Sequence, residues 1–286
     1  MENLVTVYIP TKNRLQLLRR AVHSVLSQTH RQIELIVVSD GSDDGTCEYV
    51  NSLQEHISVK LIHNEKSLGA CAARNQAIDA ASGQFITGLD DDDIFLPHRL
   101  ETFLSEWRRH EEGGERFSCL FDRRIVNDGE QVWLWDTDAS VSAEQIVQEN
   151  AVGSQVFTTP QRMKDAGGFD PEMPAWQDWD MWVRLIKKGG PAQSIRTNTY
   201  IMDISHEFER ITQKSSEKIL RAARMFYQKH CGRGDLAGML FSLGGYEQVR
   251  LTLGDVGVML RSKHAKYALK KVRAGKVQMS LESSVL

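Results

Sequence analysis

The first half of the chain alternates between short apolar runs and stretches with helical periodicity. The apolar runs are rich in β-branched residues and predict buried strands at Leu4–Ile9, Ile33–Val38, Val59–Ile62 and Phe85–Leu89. Helical patterns follow them at Leu15–Leu26, Thr46–Gln54, Gly69–Ala81 and from Pro97 onwards. Strands that alternate with helices through short loops predict an α/β fold with a mostly parallel central sheet flanked by helices.

A polar segment follows each of the four predicted strands. These segments are Pro10–Arg14, Ser39–Ser42, His63–Asn64 and Asp90–Asp93. The carboxyl ends of parallel strands lie at one edge of a sheet, and ligands bind at that edge in folds of this kind. The four segments therefore predict one ligand site.

Four consecutive aspartates, Asp90–Asp93, come directly after the fourth apolar run. Two carboxylates about 4 Å apart repel by roughly 4 kcal/mol at an effective dielectric of 20, so the fold must offset this cost. Side chains alternate along an extended strand, which predicts Asp90 and Asp92 on one side and leaves the roles of Asp91 and Asp93 open. Such a carboxylate pair suits Mg²⁺ or Mn²⁺, which proteins often hold together with substrate phosphates.

Two common phosphate-binding motifs are missing from the sequence. Neither the G-x-x-x-x-G-K-[ST] loop nor the G-x-G-x-x-G fingerprint is present. A phosphate-bearing ligand would then be held by a metal ion and by cationic side chains. The candidates are Arg14, Lys66 and Arg74.

Composition narrows the class of protein. The 286 residues carry a formal net charge of -3, which gives no sign of nucleic-acid binding. The four cysteines are widely spaced without a C-x-x-C pair, which argues against a zinc site and favours a reduced, cytoplasmic setting. No secretion signal is evident, and no apolar stretch approaches the roughly 20 residues of a membrane span.

In combination, five motifs resemble those of inverting, nucleotide-sugar-dependent glycosyltransferases of family 2, which have the GT-A fold. The motifs, in chain order, are VYIPTKNR, IELIVVSDGSDDGT, SLGACAARNQAI, FITGLDDDDIFLP and GGFDPEMPAWQDWDMWVRL. The resemblance covers roughly Leu4–Ile204 and is strongest to bacterial enzymes that assemble O-antigen and other polysaccharide repeat units. The fourth motif contains the D-x-D signature as Asp90-Asp91-Asp92.

The resemblance implies a role for individual residues. Thr11 and Asp40 would contact the nucleotide base, Asp90 the ribose, and Asp92 the metal ion, while Asp178 would be the catalytic base. The predicted nucleotide-sugar site comprises Pro10, Thr11, Asn13, Arg14, Asp40, Lys66, Gly69, Arg74, Asp90 and Asp91.

The chain departs from the family pattern at two positions. Ser39 stands where an Asp is usual, which leaves that base contact open. Gln177 stands where a Glu is usual, so Asp178 is the carboxylate that remains at that step.

The second half offers candidates for the acceptor side of the reaction. Asp180 is the rival to Asp178 as general base. Trp176 either stacks on a sugar or packs in the core, and Gly168 lies in a turn that would shape the acceptor site. The resemblance also implies that His206 is a further metal or phosphate ligand, the alternative being a surface or capping histidine.

We expect a catalytic domain at 1–208, with a nucleotide-binding half at 1–115 and an acceptor-binding half at 116–208, followed by a helical extension at 209–286. The pattern from Thr212 to about Lys276 is mainly helical, and Arg261–Lys276 holds seven Lys or Arg and no acid. A basic amphipathic helix there could lie on an anionic membrane surface or simply be solvated.

The sequence thus predicts a metal-dependent inverting hexosyltransferase at the inner face of the cytoplasmic membrane. Its donor would be a UDP-sugar, glucose or galactose being favoured, and its acceptor a saccharide linked to undecaprenyl diphosphate.

Two alternatives to this function stay open. A sugar nucleotidyltransferase would need a glycine-rich loop after the first strand, whereas PTKNRLQLL has no glycine. An inactive carbohydrate-binding protein on the same fold would have no need of Asp90, Asp92 and Asp178.

Overall fold

The computed structural model describes residues 3–53, 58–206, 216–231, 236–243, 246, 251–252, 257–258 and 279–280. Its first half alternates strands and helices as predicted. The elements are β1 (Val5–Thr11), α1 (Leu15–Leu26), β2 (Ile33–Asp40), α2 (Thr46–Leu53), β3 (Val59–Asn64), α3 (Ala70–Ala80) and β4 (Phe85–Gly88). Strands β1, β2 and β4 are buried along most of their length, in agreement with their unbroken apolar runs.

The next part of the chain contains longer elements that were predicted and short ones that were not. Its elements are β5 (Ile94–Phe95), α4 (Arg99–Glu112), β6 (Cys119–Asn127), β7 (Val132–Trp135), β8 (Ser140–Val141), α5 (Ala143–Gln148), β9 (Phe157–Thr158), α6 (Pro160–Asp165), α7 (Gln177–Gly189) and β10 (Ala192–Asp203). Helix α4 begins at Arg99, two residues later than the predicted start at Pro97. Strands of two residues show no periodicity, so β5, β8 and β9 could not be read from the sequence.

The strands form one sheet in the order β3-β2-β1-β4-β9-β6-β10-β5, with β7 added beside β6 and β8 beside β10. The long ladders, β1 with β2, β2 with β3 and β6 with β10, are parallel. The antiparallel pairs involve the short strands β5, β7, β8 and β9. The predicted α/β fold with a mostly parallel central sheet is confirmed.

A fully buried arginine connects helix α4 to the sheet. Arg99 donates to Asp122 on β6 at 2.7 Å and to Thr199 on β10 at 3.0 Å. Its guanidinium also lies 4.5 Å from the ring centroids of Phe95 and Phe103. Removing one partner of such a buried pair typically costs about 3–5 kcal/mol, so this contact fixes the second half of the sheet.

The chain divides into two compact units. The first comprises Met1–Ile146, Asn150–Pro171 and Asp178–Glu207, and the second comprises Val147–Glu149, Glu172–Gln177 and Phe208–Leu286. The predicted boundary at 208 falls one residue from the main division, but two short inner segments group with the C-terminal part.

Most of the described C-terminal residues are helical, as predicted. They form α8 (Ser216–His230), α9 (Leu236–Leu243), and a parallel pair of short strands, β11 (Leu251–Thr252) and β12 (Met279–Ser280). The prediction of C-terminal helices is confirmed, and the two short strands are an addition that the sequence did not indicate. The basic segment Arg261–Lys276 lies outside the described residues. Among the helices that the structure describes, none is long and apolar enough to cross a bilayer.

Candidate active site

The four aspartates form a tight turn and not a continuation of the strand. Strand β4 ends at Gly88, and the Asp93 N–H donates to the Asp90 carbonyl at 3.0 Å. The alternation that we predicted from strand geometry is therefore wrong, because β4 ends at Gly88 and the backbone turns at Asp91 and Asp92. The partners of the four carboxylates come from several different elements, and Asp91 and Asp92 share one of them.

The Asp90 carboxylate is held by two side chains from distant parts of the first unit. Arg74 on α3 donates to its Oδ1 at 3.0 Å, and Gln155 donates to the same oxygen at 3.1 Å. Arg74 is largely buried, so its charge is little screened by solvent. Arg74 therefore forms an ion pair with Asp90. Its contact with a substrate phosphate stays a prediction.

Asp91 and Asp92 share one cation. Arg14 Nη1 lies 3.1 Å from Asp91 Oδ1 and 3.2 Å from Asp92 Oδ2, and Thr11 donates to Asp91 at 2.7 Å. Burial, to which the charge of Asp92 adds, raises the pKa of Asp91 to about 6, although Arg14 and Thr11 act in the opposite direction. Asp91 thus belongs with Asp92 and not with Asp93.

Asp92 also contacts the histidine that the sequence marked as a metal or phosphate ligand. His206 Nε2 lies 2.9 Å from Asp92 Oδ2, although 114 positions separate the two residues. Both side chains are largely buried. The alternative that His206 is merely a surface residue is therefore excluded.

Asp93 has a structural role. Its carboxylate accepts the Tyr200 hydroxyl at 2.5 Å and the Asp203 N–H at 2.9 Å. Both partners lie on β10, so Asp93 fixes the turn to the second half of the sheet.

Asp40, at the end of β2, organises the neighbouring loop. Its two carboxylate oxygens accept four hydrogen bonds of 2.7–2.9 Å, from Asn64, Ser67, Leu68 and Gly69. Burial would raise the pKa of Asp40, but these hydrogen bonds outweigh it and lower the pKa. The structure thus gives Asp40 four bonds to the protein itself, and its contact with a nucleotide base stays a prediction.

The loops around Asp40 are cross-braced. Asn13, which has a positive φ of 51°, accepts the Asp43 N–H at 2.9 Å, and its own N–H donates to Ser42 Oγ at 3.1 Å. Gly69 has a φ of 91° and directly precedes α3. Pro10 is partly buried in β1, and Lys66 is exposed on the loop that Asp40 holds. These predicted donor-site residues therefore lie on one edge of the sheet.

The departure at Ser39 is explained by its surroundings. Ser39 is fully buried, and its Oγ lies 3.2 Å from His63 Nδ1 and 3.5 Å from Cys47 Sγ. A carboxylate at this position would be buried, so the short hydroxyl suits the site.

Asp178 lies in the first turn of α7. Asn150 Nδ2 lies 3.3 Å from its Oδ2, and the charges of Arg74, Asp90 and Arg124 all act on it. Burial raises the pKa of Asp178, although the Trp179 N–H and Arg74 partly offset the effect. A carboxylate with a raised pKa is a stronger base than an ordinary aspartate.

The rival Asp180 is engaged elsewhere. It is fully buried, and its Oδ2 accepts Arg184 Nη2 at 2.7 Å and Nε at 3.0 Å. A carboxylate closed into a buried ion pair cannot reach an acceptor hydroxyl, so Asp178 is the better candidate for the base.

Trp176, the first of the two predicted acceptor residues, is buried. Trp176 is only 4% exposed and packs with Phe226 and Tyr246 inside the second unit, donating to the Tyr246 hydroxyl. The prediction of an open stacking platform at Trp176 is therefore not supported, because the ring is covered by aromatic neighbours.

Gly168 packs closely against helix α3. A Cβ there would come within 2.7 Å of Asn75 Oδ1, and φ is 65°. The adjacent Phe169 exchanges two hydrogen bonds with Asn75, of 2.7 and 2.8 Å. Gly168 thus fixes this turn, and its contact with an acceptor stays a prediction.

Several site residues carry no signal in the sequence. Asn150, Gln155 and Arg124 lie between the motifs, and only the fold brings them to Asp90 and Asp178.

The Tyr8 hydroxyl is buried without a hydrogen-bond partner among the described residues, and burial raises its pKa so that it stays neutral.

Carboxylates at the end of a central strand, cations beside them and a partly buried carboxylate with a raised pKa nearby form one charged site on an α/β sheet. The family model described as "Glycosyl transferase family 2" matches residues 6–158, which is more than half of the chain. The chain belongs to glycosyltransferase family 2, and the resemblance found in its motifs is confirmed.

Two curated relatives and one solved structure show where the chain lies within this family. It is 35% identical to the putative colanic acid biosynthesis glycosyl transferase WcaA of Escherichia coli K12, over 86% of this chain and 88% of that protein. It is 26% identical to the Escherichia coli UDP-Glc:alpha-D-GlcNAc-diphosphoundecaprenol beta-1,3-glucosyltransferase WfgD, over 64% of this chain and 70% of that protein. The crystal structure of Staphylococcus aureus TarS 1–349 in complex with UDP-GlcNAc superposes with a TM-score of 0.63 at 16% identity, over 99% and 94% of the two chains. The predicted GT-A fold is confirmed.

The Asp40 hydrogen bonds lead to a prediction about stability. Asp40→Asn replaces an acceptor with an amide that must donate, and we expect a loss of about 1–3 kcal/mol at pH 7. Because the pKa of Asp40 is lowered by folding, its contribution is present above the unfolded-state pKa and is lost as the pH falls through the folded-state pKa.

Urea unfolding of both proteins from pH 7 down to acid pH measures this difference. Asp43→Asn, which alters an exposed carboxylate in the same loop, is the control and should change stability by less than about 0.5 kcal/mol. Equal effects of the two substitutions would contradict the role of Asp40.

Proposed function

We propose that the protein is a metal-dependent inverting glycosyltransferase that transfers a hexose from a UDP-sugar to a lipid-diphosphate-linked saccharide. The observation that carries the proposal is the partly buried Asp178, whose pKa is raised and which lies within the electrostatic reach of Arg74 and Asp90. This coupling supports Asp178 as a base next to the carboxylate turn that contains the D-x-D sequence. The names of WcaA and WfgD support a role in bacterial polysaccharide synthesis.

The reaction is a direct displacement at the anomeric carbon. The acceptor hydroxyl attacks from the side opposite the nucleoside diphosphate and gives its proton to Asp178, while the bond from the anomeric carbon to the diphosphate breaks. General base catalysis typically contributes about 10²–10⁴-fold to the rate. The surroundings of Asp178 raise its pKa. Positive charge that develops on the sugar lowers the pKa of the attacking hydroxyl, so the two pKa values approach each other during the reaction.

The donor lies along the edge formed by β1, β2 and β4. Asp90 binds the ribose, the loop held by Asp40 receives the base, and Arg14, Lys66 and Arg74 meet the diphosphate charge. WfgD, a UDP-Glc-dependent relative, supports a UDP-sugar and favours glucose.

Asp92 and His206 fit a divalent cation. Their carboxylate oxygen and imidazole nitrogen lie 2.9 Å apart. The carboxylate suits Mg²⁺ or Mn²⁺, and the imidazole favours Mn²⁺ of the two. Among the described residues no group of three or more potential ligands is assembled, so substrate phosphates would have to complete the coordination. When bound, the ion stabilises negative charge on the leaving diphosphate.

A lipid-linked acceptor places the enzyme at a membrane. WfgD acts on a diphosphoundecaprenol-linked sugar, and the basic segment Arg261–Lys276 suits an anionic lipid surface. The protein then works as a peripheral enzyme at the inner face of the cytoplasmic membrane, where UDP-sugars are available.

Asp178→Asn tests the catalytic assignment. The substitution keeps the size of the side chain but removes the base, so transfer should fall at least about 100-fold while UDP affinity stays within about twofold. Transfer from a panel of UDP-sugars to a lipid-diphosphate acceptor and calorimetric UDP binding measure the two quantities. Substantial residual transfer in the variant would refute the assignment.

The pH profile of the unmodified protein is a second check on the same residue. The base must be deprotonated, so kcat/KM should fall with decreasing pH through a value above the ordinary aspartate pKa of about 3.9. This limb should be absent from the residual rate of Asp178→Asn.

Substitution of His206 tests the metal site. His206→Ala and Asp92→Asn should each weaken Mn²⁺ binding in the presence of UDP by about tenfold or more, because each removes a ligand. Electron paramagnetic resonance of free Mn²⁺ measures the affinity without requiring turnover. His98→Ala changes an exposed histidine and should have no effect. Unchanged Mn²⁺ affinity in both site variants would exclude these ligands.

A further inference from the structure

Strand β7 exposes four apolar side chains in succession. Val132 is 68% exposed, Trp133 41%, Leu134 42% and Trp135 43%. The other large hydrophobic residues that the described part of the chain exposes are isolated in the sequence: Leu26, Leu68 and Val258. A contiguous apolar strand in contact with water promotes aggregation, so its presence indicates that it binds something.

The strand register assigns the two tryptophans to one face of the sheet. In the antiparallel pairing of β6 and β7, Arg124 faces Trp135 and Val126 faces Trp133. Directly paired residues project to the same side, and residues two apart along a strand do so as well. Trp133 and Trp135 therefore share the face that carries Arg124, and Leu134 belongs to the other face.

A series of contacts connects the face that carries Trp133 and Trp135 with Asp178, the proposed catalytic base. The Arg124 guanidinium lies 5.0 Å from the Trp135 ring centroid and packs directly against Gly153. The Gly153 carbonyl accepts Asn150 Nδ2 at 3.2 Å, and the same amide lies 3.3 Å from Asp178 Oδ2. The charge of Arg124 also acts on the Asp178 carboxyl. Trp135 is thus connected to Asp178 by a chain of contacts through Arg124, Gly153 and Asn150.

We propose that Trp133 and Trp135 form the stacking surface for the acceptor saccharide, the role that Trp176 is too buried to fill. The proposal rests on the proposed function, since it presumes an acceptor whose hydroxyl reaches Asp178. A pyranose ring has an apolar face of C–H groups and a hydroxyl-bearing edge, which suits a half-exposed indole flanked by polar groups.

Charge favours a saccharide over a lipid surface at this strand. The residues that flank β7 in the sequence are acidic, namely Asp128, Glu130, Asp136 and Asp138. An anionic membrane would be repelled by this set, whereas carboxylates can accept hydrogen bonds from sugar hydroxyls. Asp136 already forms an ion pair with Arg123 at 3.2 Å, which fixes one end of the surface.

Substitution of the tryptophans tests the proposal. Trp133→Ala and Trp135→Ala should each raise the acceptor KM about fivefold to tenfold, since an aromatic stacking contact is worth about that factor. The rate at which the protein hydrolyses the UDP-sugar in the absence of acceptor should stay within about twofold of that of the unmodified protein. Because Trp135 also covers Arg124, Trp133→Ala should show the cleaner effect, on KM and not on kcat.

The matched control is Leu134→Ala, on the opposite face of the same strand, which should leave the acceptor KM unchanged. Trp133→Phe should recover most of the loss because it restores an aromatic ring. The acceptor probe is N-acetylglucosamine diphosphate carrying a short alkyl chain, offered both in solution and in vesicles. Saturation-transfer NMR on the same probe with UDP present reports binding without turnover.

Each other outcome has a definite meaning. A defect confined to the vesicle-bound probe would make β7 a membrane contact, and a change in sedimentation would make it an interface between two copies. A probe that does not bind the unmodified protein, or an equal defect in Leu134→Ala, would also overturn the proposal. UDP binding that persists in those cases would leave the proposed donor site intact, whereas its absence would count against the proposed function itself.

Discussion

The fold of the first compact unit depends on how it accommodates four consecutive aspartates, Asp90–Asp93. Neighbouring charges at about 4 Å cost roughly 4 kcal/mol per pair at an effective dielectric of 20, more than a small domain can leave unopposed. The turn at Asp90–Asp93 solves this by directing the side chains to partners on different elements. Arg74 meets Asp90, Arg14 meets Asp91 and Asp92, His206 meets Asp92, and Tyr200 meets Asp93. In an isolated loop the four charges would repel each other. In the folded protein their partners offset this repulsion, and the turn connects elements that are distant in the sequence.

This junction also organises the chemistry. Arg74 pairs with Asp90 on the donor side and acts on the pKa of Asp178, so the two carboxylates are electrostatically coupled through one buried cation. Asp93 fixes the turn to β10, and Arg124 on the neighbouring strand β6 also acts on the pKa of Asp178. One network of charges therefore connects the carboxylates to which we assign the donor and the catalytic base.

Local patterns predicted much of this architecture. The apolar runs of β1 to β4 identified the sheet, and the polar residues at their ends identified the edge to which we assign the donor. Asp178 came from a family motif, and His206 from the family resemblance outside the five motifs. The failures have physical causes. Strand alternation does not apply to Asp90–Asp93 because the backbone turns there, and Trp176 is buried by residues far along the chain. Asn150, Gln155 and Arg124 acquire their positions only from long-range packing, which no local pattern encodes.

The central claim is that Asp178 lies on the acceptor side and drives a single displacement with inversion. The configuration of the newly formed glycosidic bond, measured by proton NMR on the isolated product, tests this most directly. An α-linked UDP-hexose should give exclusively a β-linked product. An α-linked product would require a double displacement or a front-side mechanism and would contradict the role assigned to Asp178.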